Sequence, residues 1–226
     1  MKIGVLLSGC GVYDGVEIQE TVLTLLALDE AGAEAVCLAV NKNQHHVINH
    51  LSGEEMPESR NMMVEAARIA RGAVHDLSTF DVSNLDALVI PGGFGSAKNF
   101  STWAFDGPNG SILPEIKKII QQFISDQKPI AALCVSPVVM ALALGDSELH
   151  PTMTLGSNLE KSPYDIQAFS AGMDQKGVSS EMKTIREISV DEKLKIISAP
   201  CYMMEASIVE IRNNISQAIK ALIQLI

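Results

Sequence analysis

The chain is short of positive charge. Its 17 lysines and arginines stand against 27 aspartates and glutamates, a formal net charge of -10. So acidic a chain repels phosphate backbones, which argues against nucleic acid and anionic membrane as partners. Cysteine is sparse as well. Cys10, Cys37, Cys134 and Cys201 form no C-x-x-C pair, and none is spaced from a histidine as in a zinc finger. A disulfide scaffold is thereby disfavoured, and four free thiols in a reducing compartment are expected. His45, His46, His50, His75 and His150 form no H-E-x-x-H or comparable spacing, so neither a metal nor any other cofactor is expected. Long apolar runs are missing too. The first run, residues 3–7, falls short of the roughly 7–15 residues of a signal peptide's apolar region. No run approaches the ~20 residues of a membrane span. The expected location is therefore cytoplasmic. No internal repeat, low-complexity tract or linker interrupts the 226 residues, which read as one domain, 1–226.

What is present suits a packed core: 47% of residues are hydrophobic and 19% charged. The run at residues 3–7 reads as a strand. A helix is predicted over about 16–31, with Val22, Leu25 and Leu26 separating from Asp29 and Gly32 as its stop. Residues 35–40 form the next strand, giving the β-loop-α-β opening of a parallel sheet. The pattern repeats with strand 86–90, helix 112–125 and strand 130–133, then a short apolar helix at 136–144. A last helix, about 204–225, has Ile208, Ile211, Ile215, Ile219 and Leu222 at spacings of three and four. A helix is expected from Glu58, and residues 159–177 read as surface loops. The fold class is α/β: a three-layer α/β/α sandwich around a doubly wound, mostly parallel sheet.

The most telling segment is Ile130-Ala131-Ala132-Leu133-Cys134-Val135-Ser136-Pro137. A buried strand runs directly into a helix, so the residue at the bend points out of the carboxyl edge of the sheet, where open α/β sheets bind ligands. The N–H groups and dipole of the following helix favour a thiolate at Cys134. Pro137 suits that helix's first turn. A buried, inert cysteine is the competing reading. Pro91-Gly92-Gly93 ends the neighbouring strand. Its backbone N–H groups, with that of Val135, could hold an oxyanion formed by thiolate attack on a carbonyl; an ordinary glycine turn is the alternative. The first loop holds Gly9, Gly11 and Gly15, one residue out of register with a dinucleotide fingerprint. Glu17 or Glu20, at the start of its helix, could reach Cys134 to donate to a thiolate or to act as a base. A solvated helix-dipole carboxylate is the plainer reading. Cys201, after a strand at 195–197, could also sit at this edge, as a structural or a reactive thiol.

Together, SGCGVYDGVEIQE, VINHLSGE with ESRN, PGGFGSAKN, LCVSPVVM and SAPCYMMEA resemble the ElbB (enhancing lycopene biosynthesis) proteins. These are also described as glyoxalases, and they belong to the ThiJ/PfpI superfamily, whose fold is like a class I glutamine amidotransferase. The resemblance spans nearly the whole chain, in order. It implies a reactive elbow cysteine at Cys134, an acidic partner matching Glu20 in preference to Glu17, an oxyanion site at Gly92 and Gly93, and a homodimer. Two departures narrow it. Val135 stands where many members have a histidine after the cysteine, and no histidine follows His150, so a glutaminase triad is disfavoured.

Two functions then compete. In one, a cofactor-independent glyoxalase linked to isoprenoid biosynthesis turns a small reactive aldehyde, glyoxal or methylglyoxal, into the 2-hydroxy acid through a Cys134 hemithioacetal. In the other, Cys134 is a redox sensor, oxidised to a sulfenic or sulfinic acid beside Glu20.

Overall fold

The computed structural model describes residues 1–145 and 147–226. Its strands are β1 (Lys2–Leu7), β2 (Glu34–Ala39), β3 (Val74–Asp76), β4 (Ala87–Ile90), β5 (Ile130–Leu133), β6 (Thr152–Gly156), β7 (Ser179–Met182), β8 (Ser189–Asp191) and β9 (Ile196–Ala199). Seven make one sheet in the order β3-β2-β1-β4-β5-β9-β8, parallel throughout except for β8 against β9. Every residue of β4, β5 and β9 is buried, because helices cover both faces of the sheet. β6 and β7 form a separate parallel pair.

The helices are α1 (Ile18–Glu30), α2 (Met62–Ile69), the short α3 (Trp103–Asp106), α4 (Pro114–Ser125), α5 (Pro137–Leu144), α6 (Ile166–Asp174) and α7 (Ile208–Gln224). α1 packs with α2 and α7 on one side, and α4 and α6 each pack with α5. α4 buries Ile116, Ile119, Ile120 and Phe123 along one stripe, as its spacing predicts. α7 buries Ile211, Ile215, Ile219 and Leu222. It starts later than residue 204 because a capping box of Ser207 and Glu210 fixes its first turn.

Two expectations need correction. Residues 159–177 are not all loop: Asp165 caps α6, which buries Ile166 and Met173. α1 does not bury its most apolar face. Its inward residues are Glu20, Thr21, Thr24, Ala27 and Leu28, while Val22 and Leu26 stay 49% and 41% exposed.

Strand order reverses between β1 and β4. The loops after these strands therefore open a crevice at the carboxyl edge, with the end of β5 beside it.

Candidate active site

The chain turns from β5 into α5 at Cys134, which takes a left-handed φ of 56°, a strained conformation for a residue with a side chain. The surroundings hold it there. Its backbone N–H donates to the Ala199 carbonyl at 2.9 Å, continuing the β5–β9 ladder. The Ser136 hydroxyl donates to the Pro91 carbonyl at 2.7 Å and lies 2.9 Å from the Ser96 hydroxyl. These contacts pin the elbow to the glycine turn after β4.

That turn has little room to spare. A Cβ on Gly92 would lie 2.3 Å from the Cys134 Cβ, 2.8 Å from its Sγ and 2.6 Å from Glu20 Oε2. Gly92 is thus required by close approach. Gly93 is required by its φ of 97° as well as by the Glu17 backbone packed against it. The Gly92 N–H donates to Glu20 Oε2 at 3.0 Å, so it does not face an incoming substrate as an oxyanion donor. The Gly93 N–H instead reaches the Cys134 sulfur.

Of the two candidate acids, Glu20 is the one beside the thiol. Its side chain is fully buried, and its Oε2 and the Cys134 sulfur crowd the same point over Gly92. Oε1 accepts from the Tyr202 N–H at 3.1 Å and Oε2 from Gly92. Glu17 is the N-cap of α1, its carboxylate accepting from the Glu20 N–H at 2.6 Å. It is not remote, because it lines the cleft above the sulfur.

This cleft is narrow, with a cavity volume of about 20 Å³, and is lined by Val12, Glu17, Gly93, Phe94, Cys134, Val135, Tyr164, Phe169, Tyr202 and Met203. That is room for about one water, so a larger ligand enters only as the lining side chains shift. Tyr164, Tyr202, Phe94 and Phe169 escape sequence reasoning, since they come from separate loops and from α6. The Asp165 cap and the spacing of Ile166, Phe169 and Met173 are the signals that would have brought in α6 and Phe169.

Burial, followed by the charge of Glu17, pushes the Glu20 carboxyl up to about 8. Burial, followed by the charge of Glu20, pushes the Cys134 thiol well above its ordinary value. The helix N-terminus therefore does not by itself yield a resting thiolate, as its dipole had suggested; desolvation and Glu20 outweigh it. The buried pair holds at most one negative charge at neutral pH, and that charge sits first on Glu20. An ionised Glu20 is then positioned to take the thiol proton.

Cys201 is buried behind Cys134, and burial pushes its thiol up too. Cys10 is half-buried near Asp14, Glu65 and Arg68, and Cys37 lies on β2. Among the described residues, no group of three or more His, Cys, Asp or Glu side chains could hold a metal ion, and no helix is long and apolar enough to cross a membrane.

Residues 10–182 match the DJ-1/PfpI family, the segment that carries Glu20, the glycine turn and Cys134. The chain belongs to the DJ-1/PfpI family. A human relative, glutamine amidotransferase-like class 1 domain-containing protein 3, mitochondrial, is 37% identical over 99% of this chain and 83% of its own length. The crystal structure of an isoprenoid biosynthesis protein with an amidotransferase-like domain from Ehrlichia chaffeensis aligns with a TM-score of 0.90 at 36% identity, covering 100% of this chain and 99% of that one. Glyoxalase III from Candida albicans shares the fold at a TM-score of 0.60 and 12% identity, with 98% and 97% coverage. The mitochondrial name of the human relative differs from the cytoplasmic location expected for this chain.

Proposed function

We propose that this DJ-1/PfpI protein is a cofactor-independent glyoxalase of ElbB type, converting glyoxal or methylglyoxal to glycolate or lactate. The observation that carries the reading is the buried Glu20 carboxyl packed beside the Cys134 sulfur, which lines a narrow cleft at the sheet edge. Ionised Glu20 takes the thiol proton as sulfur adds to the aldehyde carbon, and the Gly93 and Val135 N–H groups stabilise the new oxyanion. A carboxylate then removes the hydrogen on that carbon and returns a proton to the neighbouring carbonyl carbon. The hemithioacetal thereby becomes a thioester. Water cleaves it, releasing the 2-hydroxy acid and the free thiol. Atoms balance as aldehyde plus one water, with no net redox change and no cofactor. With Val135 in the position where many members have a histidine, proton transfer is left to the carboxylates alone.

The similarity to the Ehrlichia protein and the resemblance to ElbB support a place near isoprenoid biosynthesis. The exposed ridge of Ile18, Val22 and Leu26, at every fourth residue of α1, supports a homodimer. Purified protein given methylglyoxal without glutathione should form lactate, and Cys134→Ser should not; equal rates from the two would overturn the reading.

A further inference from the structure

The mechanism leaves two buried thiols without a task, Cys37 and Cys201. Cys201 is completely enclosed, yet it lies in the turn after β9, the strand paired with β5 through Leu133↔Ala199. Cys134 and Cys201 therefore leave adjacent strands at the same edge. The Cys201 sulfur lies within hydrogen-bond reach of the Cys134 backbone N–H. Cys201 is itself held in the left-handed region, at a φ of 47°. Fully buried Asn214 of α7 fixes it, accepting from the Cys201 N–H at 3.0 Å while its own amide donates to the Glu187 carbonyl at 2.8 Å. The next residue, Tyr202, donates its N–H to Glu20. Two buried thiols at strained backbone positions, and one buried carboxyl, thus meet at one edge of the sheet. Cys10 and Cys37 lie elsewhere: one faces Asp14, Glu65 and Arg68, and the other is in β2.

We propose that Cys201 is the resolving thiol for Cys134, closing an intramolecular Cys134–Cys201 disulfide after peroxide has oxidised Cys134. The first step forms the bond between the Cys134 sulfur and one peroxide oxygen and breaks the O–O bond, giving a sulfenic acid and water. The sulfur is oxidised by two electrons and the peroxide is reduced by two. In the second step the Cys201 sulfur attacks the Cys134 sulfur. The S–O bond breaks, and the hydroxyl leaves with the Cys201 proton as water. Peroxide is small enough to reach Cys134 through the cleft, while Cys201 has no exposed surface of its own, so the order of events is set by access. The disulfide blocks the nucleophile and spares it from over-oxidation, and a thiol reductant restores it. The proposal needs only a nucleophilic Cys134 and stands apart from the aldehyde reading.

The test is mild hydrogen peroxide on the reduced full-length protein, followed by alkylation in denaturant, intact mass and non-reducing peptide mapping. Wild type should lose two hydrogens and yield a peptide pair joining Cys134 to Cys201. Cys201→Ser should instead carry added oxygen on Cys134. An oxygen adduct on wild-type Cys134 with Cys201 still alkylatable, a bond from Cys134 to Cys10 or Cys37, or an unreacted Cys134 would each overturn the proposal. The wild-type product decides the matter even if Cys201→Ser does not fold. Lactate formation, assayed separately on reduced protein, reports on the aldehyde reading alone.

Discussion

Replacing Glu20 with glutamine should reverse its effect on stability across the pH range. Two N–H donors, from Gly92 and Tyr202, converge on the Glu20 carboxyl. Either protonation state of a carboxyl can accept from both, but an amide can accept from only one, and its NH₂ faces the other donor. One buried N–H loses its partner, at a cost of about 1–3 kcal/mol. Against this stands the cost of the carboxyl itself. Burial raises it from its ordinary 4.5 to about 8. A raised acid gives its full stabilising contribution below the unfolded value and loses it as pH rises through the folded one. Wild type should therefore lose on the order of 5 kcal/mol between pH 4.5 and 8, at about 1.4 kcal/mol per unit. Glu20→Gln lacks that slope. It should be less stable than wild type at pH 5 by about 1–2 kcal/mol and more stable at pH 8 by about 2–3 kcal/mol. Urea unfolding of both proteins at a series of pH values reads this directly. Parallel pH slopes would refute the reasoning, because they would mean that Glu20 titrates as an ordinary surface acid.

Further outcomes follow from the same geometry. Glu20→Gln should lower kcat with methylglyoxal by about 10²–10⁴-fold, the usual worth of a positioned acid–base group, in a steady-state lactate assay. For the wild type, kcat/KM should rise with pH through about 8, as Glu20 gains the charge that takes the thiol proton; a profile falling over that range would count against it. Gly92→Ala should be destabilised by about 1–3 kcal/mol in thermal or urea unfolding and should lose activity, because its methyl group overlaps the Cys134 side chain and Glu20. The proposed homodimer predicts that the wild type runs as a dimer in light scattering and that Val22→Lys combined with Leu26→Lys runs as a monomer.

Much of this architecture is legible in the sequence wherever local chemistry and tertiary demand agree. β5 is apolar throughout because it is buried on both faces, and the residue after it had to stand at the sheet edge, so Cys134 announces itself. The glycines at 92 and 93 are legible for a similar reason, since the turn has no space for a side chain. α1 is not legible in this way. Its inward face carries Glu20, Thr21 and Thr24 because it lies over a polar site, so apolar spacing points to the wrong side. The aromatic wall of the cleft is hidden for another reason: Phe94, Tyr164, Phe169 and Tyr202 are scattered along the chain and meet only when the loops close over the β5 elbow. The balance of charge at the site is likewise a property of burial. A helix start beside a cysteine suggests a thiolate, and only enclosure with Glu20 shows the proton held on the pair.

The most direct test of the central claim, that Cys134 and a neighbouring carboxylate carry out the aldehyde chemistry together, is proton NMR of the product formed from methylglyoxal in D₂O without glutathione. Wild-type protein should give lactate bearing deuterium at the carbon next to the carboxylate, since the proton returned there passes through an exchangeable carboxyl, and Cys134→Ser should give none. Lactate that keeps protium at that carbon, or lactate formed equally well by Cys134→Ser, would contradict the account.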